Sequence, residues 1–97
     1  MEIKKTCVAG TMESSDIMIT LEPGSGGIEI ELKSIVETQF GRQIRSVIAD
    51  TLSQLNVKSA RVIAVDKGAL DCTIQARVKT AVHRASGEKS CTWEVPG

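Results

Sequence analysis

Ile17, Ile19 and Leu21 alternate with Asp16, Met18, Thr20 and Glu22. A period of two sends one set of side chains to a buried sheet face and predicts a strand over residues 16–22. Pro23-Gly24-Ser25-Gly26-Gly27 ends it. Proline cannot donate to a ladder and glycine accepts positive φ, so this segment reads as a hairpin connection. Ile28-Glu29-Ile30-Glu31-Leu32 alternates again and is expected to pair with the strand before it, Glu29 and Glu31 lying on its wet face. Upstream, Thr6-Cys7-Val8-Ala9 is also strand-like. Gly10-Thr11-Met12-Glu13-Ser14-Ser15-Asp16 separates it from the alternating run. Ser and Asp side chains bond nearby backbone in place of a ladder, so this stretch is expected to be a surface turn at a hairpin tip.

Past residue 33 the period changes. Ser34 with Glu37 three residues on has the pattern of a capping box. Val36, Phe40, Ile44, Val47, Ile48, Leu52 and Leu55 then fall on one helical stripe, while Arg42, Arg45, Asp50, Ser53 and Gln54 lie off it. The spacing predicts a helix over 35–55, stopped near Asn56, with Gly41 as its one poor residue. Residues 59–65 are short and β-branched, a strand closed by the turn Asp66-Lys67-Gly68. Residues 72–86 fit a strand at period two and a helix along Ile74, Val78, Ala81, Val82 and Ala85. Helix is favoured by the length of the run, by Asp71 as an N-cap, and by Arg77, Lys79, His83 and Arg84 toward the C-terminal end. The fold class is therefore α+β in order β-β-β-α-β-α, or β-β-α-β-α if the first run is irregular. It is expected to have two layers, with two helices on one face of a mostly antiparallel sheet. Residues 1–87 would form the domain and 88–97 a tail, in which Trp93 could pack back, meet a partner or be exposed.

The 97 residues allow one domain. Twelve basic residues balance twelve acidic ones, which gives no reason to expect nucleic acid or an anionic membrane surface. One Phe, one Trp and no Tyr leave Ile, Val, Leu, Ala and Met to build the core, and remove stacking platforms for bases. No segment reaches membrane-spanning length and no long apolar leader is present, so a cytoplasmic location is expected. Cys7, Cys72 and Cys91 are odd in number and widely spaced, which suggests neither a disulfide framework nor a zinc knuckle. They read as two half-buried apolar side chains and a thiol in the tail.

Self-contained chemistry is hard to find. Gly24-Ser25-Gly26-Gly27 precedes a strand, whereas a phosphate cradle needs a helix N-terminus there. His83 stands on a helix face among cations, without a nucleophile to serve. No His/Cys/Asp/Glu cluster has metal-ligand spacing. The candidates that remain are the serines of the tip. Adjacent positions point in opposite directions, so one of Ser14 and Ser15 should face outward, and the residues alone do not say which.

Ala9-Gly10-Thr11-Met12-Glu13-Ser14-Ser15-Asp16 resembles the prosthetic-group attachment segment of the citrate lyase acyl carrier protein family, or gamma chains. So, in the same order, do Val36-Glu37-Thr38-Gln39-Phe40-Gly41 with Ile44-Arg45, and Asp66-Lys67-Gly68-Ala69-Leu70-Asp71-Cys72-Thr73-Ile74 with Ala76-Arg77-Val78. Met12 stands where the family more often shows Leu, a volume-conserving change. The resemblance runs from about residue 3 to residue 86.

It implies covalent attachment of 2'-(5''-triphosphoribosyl)-3'-dephospho-CoA to Ser14 through a phosphodiester, the arm's thiol carrying acetyl or citryl during cleavage of citrate to acetate and oxaloacetate. The implied partners are the alpha (acyl transferase) and beta (citryl lyase) subunits and a prosthetic-group transferase. The chain itself would be a non-catalytic carrier, unlike the four-helix acyl carriers whose serine opens a helix. Glu13 and Asp16 could then guide a basic surface of the attaching enzyme to the tip. The carrier subunit of malonate decarboxylase and an unmodified interaction module are the alternatives.

Overall fold

In the computed structural model, residues 2–34 and 37–87 are described. The elements are β1 (Cys7–Gly10), β2 (Ile17–Pro23), β3 (Ile28–Ser34), α1 (Glu37–Gln54), β4 (Ala60–Asp66) and α2 (Asp71–Ser86). The expected order β-β-β-α-β-α is observed, and the first run is a true strand.

The sheet order is β1-β2-β4-β3. β1 and β2 form the expected antiparallel hairpin, with Gly10 opposite Met18. The expected pairing of residues 28–32 with 17–21 is wrong. β4 enters between those strands, antiparallel to β2 with Ile17 opposite Asp66, and parallel to β3 with Ile28 opposite Ala60. The reason lies in which strand tolerates the centre. β4 carries apolar residues on both faces: Ala60, Val62 and Ala64 are buried on one, and Ile63 and Val65 are half-buried on the other, beyond an exposed Arg61 at its start. That is the pattern of an inner strand. β3 turns Glu29, Glu31 and Lys33 to water, which suits an edge. A parallel neighbour needs a long crossover, and α1 supplies it.

The segment after Pro23 is thus no hairpin loop. It steps across the start of β4: the Ala60 N–H donates to the Gly27 carbonyl at 3.1 Å. A Cβ on Gly24 would stand 2.9 Å from the Ala60 carbonyl carbon, so glycine is required there by close approach.

Both helices cover one sheet face, α2 against β1 and β2, α1 against β3, and the two against each other. The core joins Ile17, Ile19, Leu21, Val62 and Ala64 to Ile44, Ile48, Leu52, Ile74, Val78 and Val82, all buried. Each larger side chain contributes about 1.5–3 kcal/mol relative to exposure, and truncation of Ile19 to Ala would cost about 2–5 kcal/mol. Phe40 departs from its expected place on the buried stripe: it is 51% exposed, while Ile44, Val47, Ile48 and Leu52 of the same stripe are buried.

The end of α1 shows why Asn56 stops it. Asn56 adopts φ 58, its N–H reaches the Ser53 carbonyl at 3.0 Å, and the Val57 N–H reaches Leu52 at 3.0 Å. This is a Schellman motif, with buried Val57 and Leu52 as its hydrophobic contact. α2 begins one residue earlier than expected: Leu70 is its N-cap, and Asp71 sits inside the first turn, accepting from Gln43 at 2.9 Å. Cys7 is buried and Cys72 exposed, so neither is half-buried. The tail, with Cys91 and Trp93, and residues 35–36 of the capping box lie outside the described residues. Among the described residues, no helix is long and apolar enough to cross a membrane.

Candidate functional site

The pole of the sheet where β1 ends, β2 begins and β4 ends carries the serine loop. Gly10 takes φ 95, and a Cβ there would fall on the carbonyl oxygen of Ile17. Only glycine lets β1 leave the ladder so close to its partner. Residues 11–16 then make a compact turn. The Asp16 N–H donates to the Glu13 carbonyl at 3.2 Å, leaving Ser14 and Ser15 at the crest. Ser15 lies in the left-handed region at φ 65.

Two moorings hold this crest. The first is backbone. The Ser15 N–H donates to the Lys67 carbonyl at 2.8 Å, and the Lys67 N–H to the Asp16 carbonyl at 2.9 Å. These bonds extend the β2–β4 ladder one step past the strands, tying the loop to the β4–α2 turn. That turn is organised by Asp66, buried at 1% exposure. Its carboxylate accepts from the Ser34 hydroxyl at 2.8 Å and from the N–H groups of Gly68 and Ala69 at 3.1 and 3.0 Å.

The second mooring is Asp16. Its carboxylate accepts from Arg77 Nε and Nη2 at 3.1 and 2.8 Å, from Thr11 Oγ1 at 2.6 Å and from the Ile17 N–H at 2.7 Å. Thr11 Oγ1 in turn accepts from the Glu13 N–H at 3.2 Å. Burial raises the Asp16 pKa, but the bonds from Arg77, Thr11 and Ile17 and the charge of Arg77 outweigh it, and the pKa falls from 3.8 to about 2. The idea that Asp16 offers its charge to an attaching enzyme is therefore corrected. Asp16 is 9% exposed and its carboxylate is taken up within the chain. Glu13 is exposed and stays available.

α2 also braces the outer strand: Arg84 Nη1 donates to the Val8 carbonyl at 3.0 Å, and Lys4 N–H to Ala85 at 3.0 Å. Periodicity gave no sign of Arg77 as an anchor, because its partner stands 61 positions away. Composition showed Arg77 only as one of several helix cations.

Ser14 and Ser15 are both exposed, with Met12 beside them 51% exposed. Among the described residues no hydrogen bond engages the Ser14 hydroxyl, and no imidazole, thiolate or carboxylate is in bonding reach to activate it. His83 is exposed on α2 as expected. No group of His, Cys, Asp or Glu among the described residues could hold a metal ion. The loop can present a hydroxyl in fixed geometry, while chemistry on it must come from elsewhere.

An apolar cleft of 380 Å³ lies across the β4–α2 turn, lined by Phe40, Ile44, Ala69 and Leu70. A larger hollow, 620 Å³ around Pro23, Gly24, Asn56 and Ser59, opens at the opposite pole, away from the serines.

Residues 4–85 match the family model described as malonate decarboxylase delta subunit (MdcD). The citrate lyase acyl carrier protein of Streptococcus uberis is 60% identical over 94 residues, covering 97% of this chain and 93% of that one. The proteins of the same name from Streptococcus mutans and Lacticaseibacillus casei are 59% and 58% identical with the same coverage. Among solved structures, a chain of a Pseudomonas malonate decarboxylase hetero-tetramer in complex with malonate superimposes with a TM-score of 0.73. It covers 86% of both chains at 17% identity, a likeness of fold alone. Identity near 60% through almost the full length separates the two enzyme systems that the family model and the fold leave joined, and the chain belongs to the citrate lyase acyl carrier protein family.

Proposed function

We propose that this protein is the acyl carrier subunit of citrate lyase and that Ser14 is its attachment residue. The group in question is the phosphoribosyl-dephospho-CoA arm, delivered from 2'-(5''-triphosphoribosyl)-3'-dephospho-CoA and held as a phosphodiester once pyrophosphate has left. The observation that carries the reading is a serine hydroxyl without internal partners on a crest with two moorings. The residues fit such a group: the crest is exposed on all of 12–15, and no neighbouring side chain blocks a substituent on Ser14. When bound, the arm supplies the thiol that carries acetyl and citryl during cleavage of citrate to acetate and oxaloacetate.

The chain's own work is placement. Gly10 lets the loop leave the sheet, Arg77 and Lys67 hold it, and the core behind it keeps the pole stiff. A fixed mooring with a long substituent replaces diffusion by a high local concentration at successive sites on the alpha and beta subunits. On this reading the chain is a non-catalytic carrier working in the cytoplasm, and both chemical steps belong to the partner subunits. Residues 4–85, matched by the family model, fit within a carrier domain of residues 1–87.

Intact mass and peptide mapping of protein from its native host test the reading. The expected result is one nucleotide-type addition on the peptide containing Ser14, lost in Ser14→Ala and kept in Ser15→Ala. An unmodified native chain would leave the plain interaction module. A modified chain that accepts malonyl and not citryl would leave the malonate decarboxylase carrier.

A further inference from the structure

We infer that Arg77 is a positioning residue for modification of Ser14: from α2 it fixes the direction in which the loop offers that hydroxyl. The inference rests on the attachment reading above and extends it to a side chain in another layer of the fold. In the step it serves, the Ser14 oxygen bonds to the phosphorus of the donor triphosphate nearest the ribose. Pyrophosphate leaves, and the hydroxyl proton passes to a base of the attaching enzyme. Such a displacement needs the oxygen aligned with the bond that breaks, and small misplacements are costly.

The geometry links Arg77 to that alignment in two steps. Its guanidinium grips both carboxylate oxygens of Asp16, at 3.1 and 2.8 Å. Those same oxygens take the Thr11 hydroxyl and the Ile17 N–H, so both legs of the loop meet on one carboxylate. The backbone of Asp16 then closes the turn onto Glu13 and receives the Lys67 N–H. Ser15 is held left-handed between these contacts, with its N–H committed to Lys67. Ser14, one residue earlier, is not in that region, so neighbouring hydroxyls leave the chain in different directions. Without the guanidinium, Asp16 keeps a charge that only Thr11 and one N–H satisfy. The turn then loses its only side-chain tie to the helix layer among the hydrogen bonds described above. Lysine could restore the charge but not the planar fork.

The test compares the full chain with Arg77→Met and Arg77→Lys at a temperature where all three are folded. In the unmodified chain, amide exchange of Ser15 and Asp16 is expected to rise about tenfold to a hundredfold in Arg77→Met, the range for a lost charged hydrogen bond. Core amides such as Ile19 should not change. With the attaching enzyme and its triphosphate donor, kcat for transfer should fall about tenfold to a hundredfold with KM nearly unchanged, and Arg77→Lys should recover part of it. Unchanged exchange at Ser15 and Asp16, or loosened amides with an undiminished kcat, would overturn the inference. A wild-type chain that accepts no arm would count against the attachment reading, while the exchange comparison would still decide whether Arg77 sets the loop.

Discussion

Asp16→Asn tests the loop's electrostatics through acid stability. The folded pKa of Asp16 is about 2, against 3.8 for the free side chain. At about 1.36 kcal/mol per unit, the shift corresponds to at most about 2.4 kcal/mol. The Arg77 side chain is 38% exposed, so solvent screening lowers the working figure to about 1.5–2 kcal/mol. A depressed carboxylate pKa stabilises the fold above the unfolded value, and the contribution is lost as pH falls from about 4 to about 2. Urea unfolding of wild type and Asp16→Asn across that range measures it, and the difference between the two cancels the carboxylates they share. Wild type should be more stable by about 1.5–2 kcal/mol above about pH 5, with the gap closing toward zero near pH 2. A gap that stays constant with pH would refute the reasoning, because the ionised carboxylate would then not be what Arg77 holds.

Substitutions at two further positions probe the backbone. Gly10→Ala should destabilise by at least about 2 kcal/mol in chemical denaturation and shift the amide resonances of residues 11–16, since the new Cβ meets the Ile17 carbonyl at a left-handed residue. Asn56→Val should cost about 1–2 kcal/mol in thermal or urea unfolding, while Asn56→Gly stays within about 0.5 kcal/mol of wild type, because glycine keeps φ 58 open.

Local features of this fold were legible because local rules decide them. Alternation found the strands at 16–22 and 28–32, β-branched composition found the one at 59–65, the 3.6 period found the first helix, and length and charge placement decided the second. Gly10 and the Glu-Ser-Ser-Asp stretch marked the tip. Non-local choices were not legible. The four residues between Pro23 and Ile28 could turn a hairpin or step over one intervening strand, and only the packing of β4, with apolar residues on both faces, decides between them. Phe40 shares the phase of the α1 stripe, yet it lines the apolar cleft over the β4–α2 turn with Leu70 and stays half in solvent. Asp16 looked like a solvated charge because the cation that buries it comes from an element formed much later in sequence. The family resemblance singled out Ser14 over Ser15, whereas the residues alone left the choice open.

The late position of β4 and α2 sets an order of events during synthesis. When Ser14 leaves the ribosome, neither the strand that flanks its hairpin nor the arginine that grips its loop has been translated. The nascent N-terminal half can form a ribbon but not a braced crest. The finished presentation arises only after the last helix docks, so an attaching enzyme that selects for it will pass over incomplete chains.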